Sequence, residues 1–234
     1  MLSIIPIKND ERGSNGKEGA TMHDLVPHGN CCIVAPSNSG KSTLLCNLLL
    51  RKVFGICNFY KQVFLFSPTI EDDPVFSVLR EYIPTKKTSM RITMIPQLDI
   101  ATIEEILDAQ AAMKPDDRKP ILIYLDDCAE LLQRSPVLDR LFFRSRHIKV
   151  FCWISSQKYK KISPSLRANC PFWIFFRVNM AEMKSIAEDL SCEERHVFLE
   201  RIIEATKERF SFLTIDMRKP DEEKYTYSFK KINT

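Results

Sequence analysis

Short apolar runs alternate with segments of helical pattern along most of the chain. Buried β-strands are predicted for five runs, at residues 31–34, 62–66, 121–125, 149–157 and 172–178, with a weaker candidate at 91–95. The segments between them carry helix signals, among them the apolar residues 44–50 and the capping pairs Thr102 with Glu105, Asn179 with Glu182, and Ser191 with Glu194. This alternation predicts an α/β fold, with a doubly wound, mainly parallel sheet and helices on both of its faces.

The two ends of the chain depart from this alternation. Residues 1–22 are polar and rich in glycine, which predicts a flexible leader with a short edge strand at 2–7. We expect residues 23–234 to form a single domain. Within it, a pair of helices is expected at 180–209 and a C-terminal β-hairpin at 210–232.

The first predicted strand runs directly into a glycine-lysine-serine motif at residues 35–43, and an apolar helix follows it. This is the context of a phosphate-binding P-loop, in which backbone N–H groups of the loop and of the first helical turn point at the anion. Lys41 would reach the β- and γ-phosphates of ATP, and Ser42 would bind Mg²⁺. Ala35 stands where the first glycine is usual, and Asn38 can supply a left-handed turn residue. The alternative is a chance Gly-Lys-Ser at a helix start. The predicted nucleotide-binding residues are Ser37, Asn38, Ser39, Gly40, Lys41, Ser42 and Thr43.

Polar side chains end the third and fourth principal strands. Because the carboxyl ends of parallel strands meet at one edge of a sheet, Asp126, Asp127 and Gln157 are expected near the phosphate loop. Asp126 would hold Mg²⁺, and Asp127 would orient the attacking water and accept its proton. Gln157 would lie beside the γ-phosphate and sense hydrolysis. The alternatives are an acidic strand end that caps the next helix, and a surface polar residue at position 157.

Composition narrows the class of protein. The 234 residues are 44% hydrophobic and 27% charged, with a net charge of +4 that permits a nucleic-acid partner without demanding one. The eight cysteines form no Cys-x-x-Cys pair and the four histidines show no metal spacing, so we expect a reducing, intracellular compartment and no zinc site. No apolar run has membrane-spanning length, and the amino terminus is unlike a signal peptide.

A basic loop directly follows Gln157. It contains Lys158, Lys160 and Lys161, with Tyr159 between them. Contacts to phosphates need no base-reading motif, so such a loop suits sequence-independent binding of double-stranded DNA. The alternative is an ordinary solvated loop.

These motifs occur in a characteristic order: the phosphate loop, residues 64–69, the acid pair, Arg146 before a strand that ends in Gln157, and Arg167-x-Asn169. The set resembles the poxvirus-type genome-packaging ATPases of large DNA viruses and virophages, in the FtsK–HerA superfamily of P-loop proteins. The resemblance implies a RecA-like fold and a Mg²⁺-dependent ATPase that pumps double-stranded DNA into a preformed capsid. It also implies a pentameric or hexameric ring, a capsid or portal component as partner, and a location in the host-cell cytoplasm or virus factory and in the virion.

The resemblance also suggests roles for single residues. Asp127 would activate the water, Gln157 would act as the sensor, and Arg146 would reach the nucleotide of a neighbouring subunit. Arg144 and Arg167 are the other candidates for this arginine finger. Family members outside this branch often carry glutamate at the position of Asp127, so the carboxylate here is one methylene shorter.

Two other functions fit parts of the sequence. A P-loop kinase would close Arg140, Arg144 and Arg146 over the phosphates, but it has no need for the acid pair and Gln157 together. A structural subunit of a virion would bind ATP tightly without turning it over. A GTPase is disfavoured, because the sequence contains no Asn-Lys-x-Asp segment.

Overall fold

The computed structural model describes residues 29–50, 56–82, 90–128, 135–191, 193–228 and 230–231. The expected leader and its edge strand lie outside this range, so the domain boundary at residue 23 stays a prediction. In the part of the chain that the structure describes, no helix is both long and apolar enough to cross a membrane.

One sheet of nine described strands organises the fold. The strands are β1 (Cys31–Val34), β2 (Gln62–Phe66), β3 (Arg91–Ile95), β4 (Ile121–Asp126), β5 (Val150–Ser156), β6 (Phe172–Phe176), β7 (Phe212–Asp216), β8 (Tyr225–Tyr227) and β9 (Lys230–Lys231). Their order across the sheet is β3-β2-β4-β5-β1-β6-β7-β8-β9. The first six strands in this order are parallel to one another, and β7, β8 and β9 continue the sheet in antiparallel fashion. The predicted mainly parallel sheet is therefore confirmed.

Eight described α-helices accompany the sheet. They are α1 (Lys41–Leu50), α2 (Ile56–Phe59), α3 (Pro74–Tyr82), α4 (Ile100–Ala112), α5 (Pro136–Ile148), α6 (Pro164–Ala168), α7 (Met180–Leu190) and α8 (Arg195–Ala205). Two separate apolar cores show that both faces of the sheet are covered. The core on one face contains side chains of α1, α2 and α3, and the core on the other contains side chains of α4 to α8.

Alternate residues of the central strands feed these two cores. In β1, Cys31 and Ile33 pack into the core with α1, whereas Cys32 and Val34 pack into the core with α5 and α7. All four side chains are buried. A strand that is covered on both faces must be apolar throughout, which is why the central strands appear in the sequence as continuous apolar runs.

Two predicted helix starts were wrong. Asp99 caps α4 by accepting a hydrogen bond from the backbone N–H two residues later, at 3.0 Å, so Thr102 lies inside the helix. Helix α8 follows Glu194 without a side-chain cap, because Ser191 already ends α7 as its C-cap. Asn179 caps α7 as predicted. Aspartate ranks above threonine as a helix N-cap, which agrees with the helix starting after Asp99 rather than after Thr102.

The C-terminal hairpin is present, but it continues further than expected. Strands β7 and β8 pair in antiparallel fashion, and β8 then pairs with β9. Ser228 lies between them with φ of 44°, a left-handed conformation that turns the chain. The second predicted arm of the hairpin is therefore two short strands.

Candidate functional site

The loop between β1 and α1 has the backbone that an anion-binding loop requires. The N–H of Ala35 donates to the carbonyl of Ser156 at 2.9 Å, which ties the start of the loop to the end of β5. Asn38 takes the expected left-handed conformation with φ of 60°, and Gly40 has φ of 95°. Lys41 then begins α1, a ten-residue helix whose first N–H groups have no partner within the helix. Such N–H groups and the helix dipole together favour a bound phosphate.

Glycine is required at position 40 for a second reason. A Cβ atom there would lie 3.1 Å from Cδ1 of Phe210, closer than ordinary van der Waals contact. The side chain of a residue far along the chain therefore packs directly on the phosphate loop.

Lys41 lies between the two carboxylates that were predicted to join it. Its Nζ is 2.9 Å from Oδ1 of Asp126 and 2.5 Å from Oδ2 of Asp127. Burial by itself lowers the pKa of Lys41, but the two carboxylates outweigh burial and the net pKa is raised. The lysine is thus firmly cationic, and it is held at the acid pair.

Asp126 is buried and fixed in orientation by hydroxyl groups. Ser67 donates to its Oδ2 at 2.9 Å, Ser155 donates to its Oδ1 at 2.6 Å, and the hydroxyl of Tyr124 lies 3.5 Å from Oδ1. Burial, followed by the charge of Asp126, raises the pKa of Tyr124 well above its ordinary value, so this hydroxyl remains a donor. Ser155 is not among the site residues predicted from the sequence. The available sequence signal for Ser155 is its position at the polar end of β5, and the strand register then places it directly opposite Asp126.

Asp127 is half-buried, and its backbone conformation fixes where its side chain begins. Its φ of 48° is left-handed, and its N–H donates to the carbonyl of Ser155 at 3.3 Å. The amide of Gln157 donates to Oδ2 of Asp127 at 3.4 Å, a long hydrogen bond to the oxygen that Lys41 also contacts. Strand β5 lies between β1 and β4, so Gln157 emerges between the phosphate loop and the acid pair. The structure therefore brings Lys41, Asp126, Asp127 and Gln157 together.

The residues predicted to hold Mg²⁺ have suitable chemistry. A magnesium ion prefers hard oxygen ligands and is commonly held by one carboxylate together with substrate phosphates. Asp126 offers an oriented carboxylate, and Ser42 offers a hydroxyl in the first turn of α1. The described residues contain no group of three or more His, Cys, Asp or Glu that could hold a metal ion alone. A site made of protein and nucleotide oxygens fits this donor set.

The structure does not bring Arg146 to this site. Arg146 and Arg144 are exposed in the last turns of α5, which leads through Lys149 into the start of β5. Since β5 spans seven residues, this end of the strand is about 20 Å from the edge that carries Gln157. An arginine side chain cannot cover that distance within one subunit.

Arg167 is engaged inside its own subunit. Its Nη1 lies 3.0 Å from Oδ2 of Asp189, and its guanidinium lies 4.7 Å from the centre of the Tyr159 ring. The Tyr159 hydroxyl donates to the same Asp189 oxygen at 3.1 Å. This arrangement indicates a structural role for Arg167.

The basic loop is only partly as expected. Lys158, Lys160 and Lys161 are exposed, but Tyr159 is fully buried and packs against Trp173. The three lysines thus present cations to solvent, whereas the tyrosine anchors the loop in the core.

A cavity that the sequence did not predict opens beside the phosphate loop. Its volume is about 330 Å³, and its walls come from Asn38 and Ser39, from Phe176 and Arg177 at the end of β6, and from the turn 207–211 that precedes β7. It adjoins the loop on the side of β6, whereas the acid pair adjoins it on the side of β5.

Comparison with protein families gives one match that spans most of the chain. The sequence model described as "Poxvirus A32 protein" matches residues 26–215. A comparison with curated proteins gave no match.

Comparison with solved structures gives the same type of fold. The DNA-packaging ATPase B204 of Sulfolobus turreted icosahedral virus superposes with a TM-score of 0.60 at 14% identity, over 82% of this chain and 94% of that one. The genome-packaging NTPase B204 of Sulfolobus turreted icosahedral virus 2, in complex with ATPγS, has a TM-score of 0.55 at 15% identity, over 85% and 95%. ATPases 2 and 3 of EssC from Geobacillus thermodenitrificans give 0.50 at 16% identity, over 71% of this chain and 35% of that one.

Proposed function

The chain belongs to the poxvirus A32 protein family, and from this premise we propose that it is an ATP-hydrolysing motor that drives double-stranded viral DNA into a preformed capsid. The observation that carries the proposal is the contact of Lys41 with both Asp126 and Asp127. ATP hydrolysis needs a phosphate-loop lysine, a carboxylate that can hold Mg²⁺, and a second acid within hydrogen-bond distance.

When ATP binds, the ammonium group of Lys41 would move from the two carboxylates to the phosphates. Its ammonium group contacts the two carboxylates, and the phosphates of ATP would draw it towards the loop amides. Mg²⁺, held by Asp126 and Ser42, would neutralise phosphate charge when bound. Asp126 keeps its orientation during the exchange, because Ser67 and Ser155 hold it independently of Lys41.

Hydrolysis would then use the second acid. Once Lys41 has moved, Oδ2 of Asp127 is available to orient a water molecule and accept its proton. The Gln157 amide already donates a hydrogen bond to this oxygen. A change at the γ-phosphate would alter that hydrogen bond, and Gln157 would transmit the change to the loop that follows β5. That loop carries the exposed lysines, which suit contact with DNA phosphates.

Coupling between subunits would rest on Arg146. Its position at the opposite edge of the sheet means that it can serve a nucleotide only in a neighbouring subunit of a ring. An arginine supplied in this way stabilises the charge of the transferring phosphoryl group. We propose a pentameric or hexameric ring that works on a capsid or portal component in the host-cell cytoplasm or virus factory and remains in the virion.

Three functions are separated by one set of rate measurements. ATP hydrolysis is measured with Mg²⁺ alone, with double-stranded DNA of unrelated sequences, and with nucleosides as phosphate acceptors. The motor predicts hydrolysis that DNA stimulates regardless of sequence. Turnover only with an acceptor would indicate a kinase, and tight ATP binding without turnover under any condition would indicate a structural virion subunit.

A further inference from the structure

The cavity beside the phosphate loop lies where the rest of a nucleotide must go. A triphosphate bound across β1 with its γ-phosphate towards Asp127 points its other end away from β5. That direction leads past Asn38 and Ser39 to the cavity of about 330 Å³ at the ends of β6 and β7. The volume lies within the usual range for small-molecule sites.

The wall of this cavity offers a surface for a flat ring. Phe210 is 39% exposed, so part of its ring is open to a ligand in the cavity. The guanidinium of Arg209 lies 4.6 Å from the centre of the Phe210 ring. Nucleobases pack well on aromatic rings and on guanidinium planes. The exposed Arg177 adds a cation to the wall on the side of β6.

Phe210 is also held in an uncommon backbone conformation. Its φ of 67° is left-handed, and this conformation is an outlier for a bulky side chain. The ring contacts the position of Gly40, so the conformation fixes an aromatic wall directly against the phosphate loop. Such strain, at an exposed aromatic residue beside a cavity, is typical of a binding site.

We propose that this cavity binds the base and ribose of the nucleoside triphosphate, with the base packed against Phe210 and Arg209. The inference rests on the proposed function, since it concerns the same nucleotide. It assigns the base-binding part of the site to the turn 207–211, a segment that no phosphate-loop motif identifies.

The test compares ATP with inorganic tripolyphosphate, which has the phosphates but no base. Their dissociation constants are measured by calorimetry for the unmodified protein and for Phe210→Ala and Phe210→Asn. We expect both variants to weaken ATP binding about 5- to 100-fold, the range for loss of one stacked base, and to leave tripolyphosphate within about threefold. Asparagine tolerates a positive φ, so Phe210→Asn should keep the thermal unfolding temperature and isolate the loss of the ring.

Controls separate this inference from the proposed function. Phe143→Ala removes another exposed phenylalanine, on α5, and should leave both dissociation constants unchanged. Lys41→Ala should weaken both ligands. Equal losses for ATP and tripolyphosphate in the Phe210 variants, or no loss for either, would overturn the inference while ATP binding by the unmodified protein stands. Failure of the unmodified protein to bind either ligand would overturn the proposed function instead.

Discussion

Replacement of Asp127 by asparagine tests the division of labour between the two acids. The substitution keeps the size of the side chain and removes its charge. In the structure, Oδ2 of Asp127 contacts Lys41 at 2.5 Å and Gln157 at 3.4 Å. The contact of Asp126 with Lys41, at 2.9 Å, and the hydrogen bond from the backbone N–H of residue 127 to Ser155 do not involve the Asp127 carboxylate, so both should persist in the variant. The phosphate loop should therefore keep its shape.

The expected effects on binding and on turnover differ in sign. A positioned general base typically contributes about 10²- to 10⁴-fold to a rate, so kcat should fall by that factor, or about 3–5 kcal/mol in the barrier. ATP binding should be retained or tightened. Loss of one carboxylate removes a competitor for Lys41 and a negative charge that repels the phosphates.

The assay combines phosphate release at saturating ATP and DNA with calorimetric measurement of the ATP dissociation constant. Asp116→Asn, in an exposed turn, is the matched control and should leave both quantities unchanged. The assignment of Asp127 would be refuted if kcat stayed within about fivefold of the unmodified protein, or if binding were lost together with hydrolysis.

Three further predictions follow from the same structure. Arg146→Ala subunits and Lys41→Ala subunits should each be inactive alone, and mixed rings should regain ATPase activity, because an arginine about 20 Å from its own site can act only in a neighbour. Gly40→Ala should lower the free energy of unfolding by about 1–3 kcal/mol in urea titrations and weaken ATP binding, because φ is 95° and the new Cβ meets a ring. Burial and the charges of Asp126 and Asp127 raise the pKa of Cys128 to about 12, so only about one Cys128 thiol in a thousand is ionised at pH 9. Peptide mass spectrometry after iodoacetamide treatment should therefore find Cys128 protected from alkylation from pH 7 to 9.

Each of these predictions has its own control and contrary result. Arg140→Ala removes an arginine that pairs with Asp108 of its own subunit, so this control should stay active without any partner variant. Absence of recovery with Arg146→Ala at every mixing ratio would contradict action in trans. Gly29→Ala places a Cβ 3.6 Å from Nη1 of Arg218, an ordinary contact, so equal losses at both glycines would argue against strain. Alkylation of Cys128 as fast as in the urea-unfolded chain would contradict its burial.

The residues at the sheet edge that forms the site could be predicted from the sequence, because the sequence patterns that mark them are local. An apolar run followed by a polar residue marks the end of a buried parallel strand, and the order of such strands brings Asp126, Asp127 and Gln157 to one edge. The phosphate loop carries its own signal in the glycine, lysine and serine that follow β1. Lys41 could accordingly be expected near the acids.

Contacts between distant segments could not be predicted in the same way. Phe210 packs on Gly40, and nothing near either residue indicates the other. The three lysines around Tyr159 indicate an exposed basic loop, yet the Tyr159 side chain itself is buried in the core. Ser155 acts on Asp126 through the register of two strands, which periodicity alone does not define. Tertiary packing, rather than local preference, determined these features.

The central claim is that ATP hydrolysis moves double-stranded DNA, and displacement of a third strand tests it most directly. The protein is incubated with a linear duplex that carries a fluorescent triplex-forming oligonucleotide, and release of that oligonucleotide is followed over time. We expect release with ATP and Mg²⁺ on duplexes of any flanking sequence, and none with a non-hydrolysable analogue or with Asp127→Asn. Sustained, DNA-stimulated hydrolysis of ATP without any release of the third strand would contradict the claim.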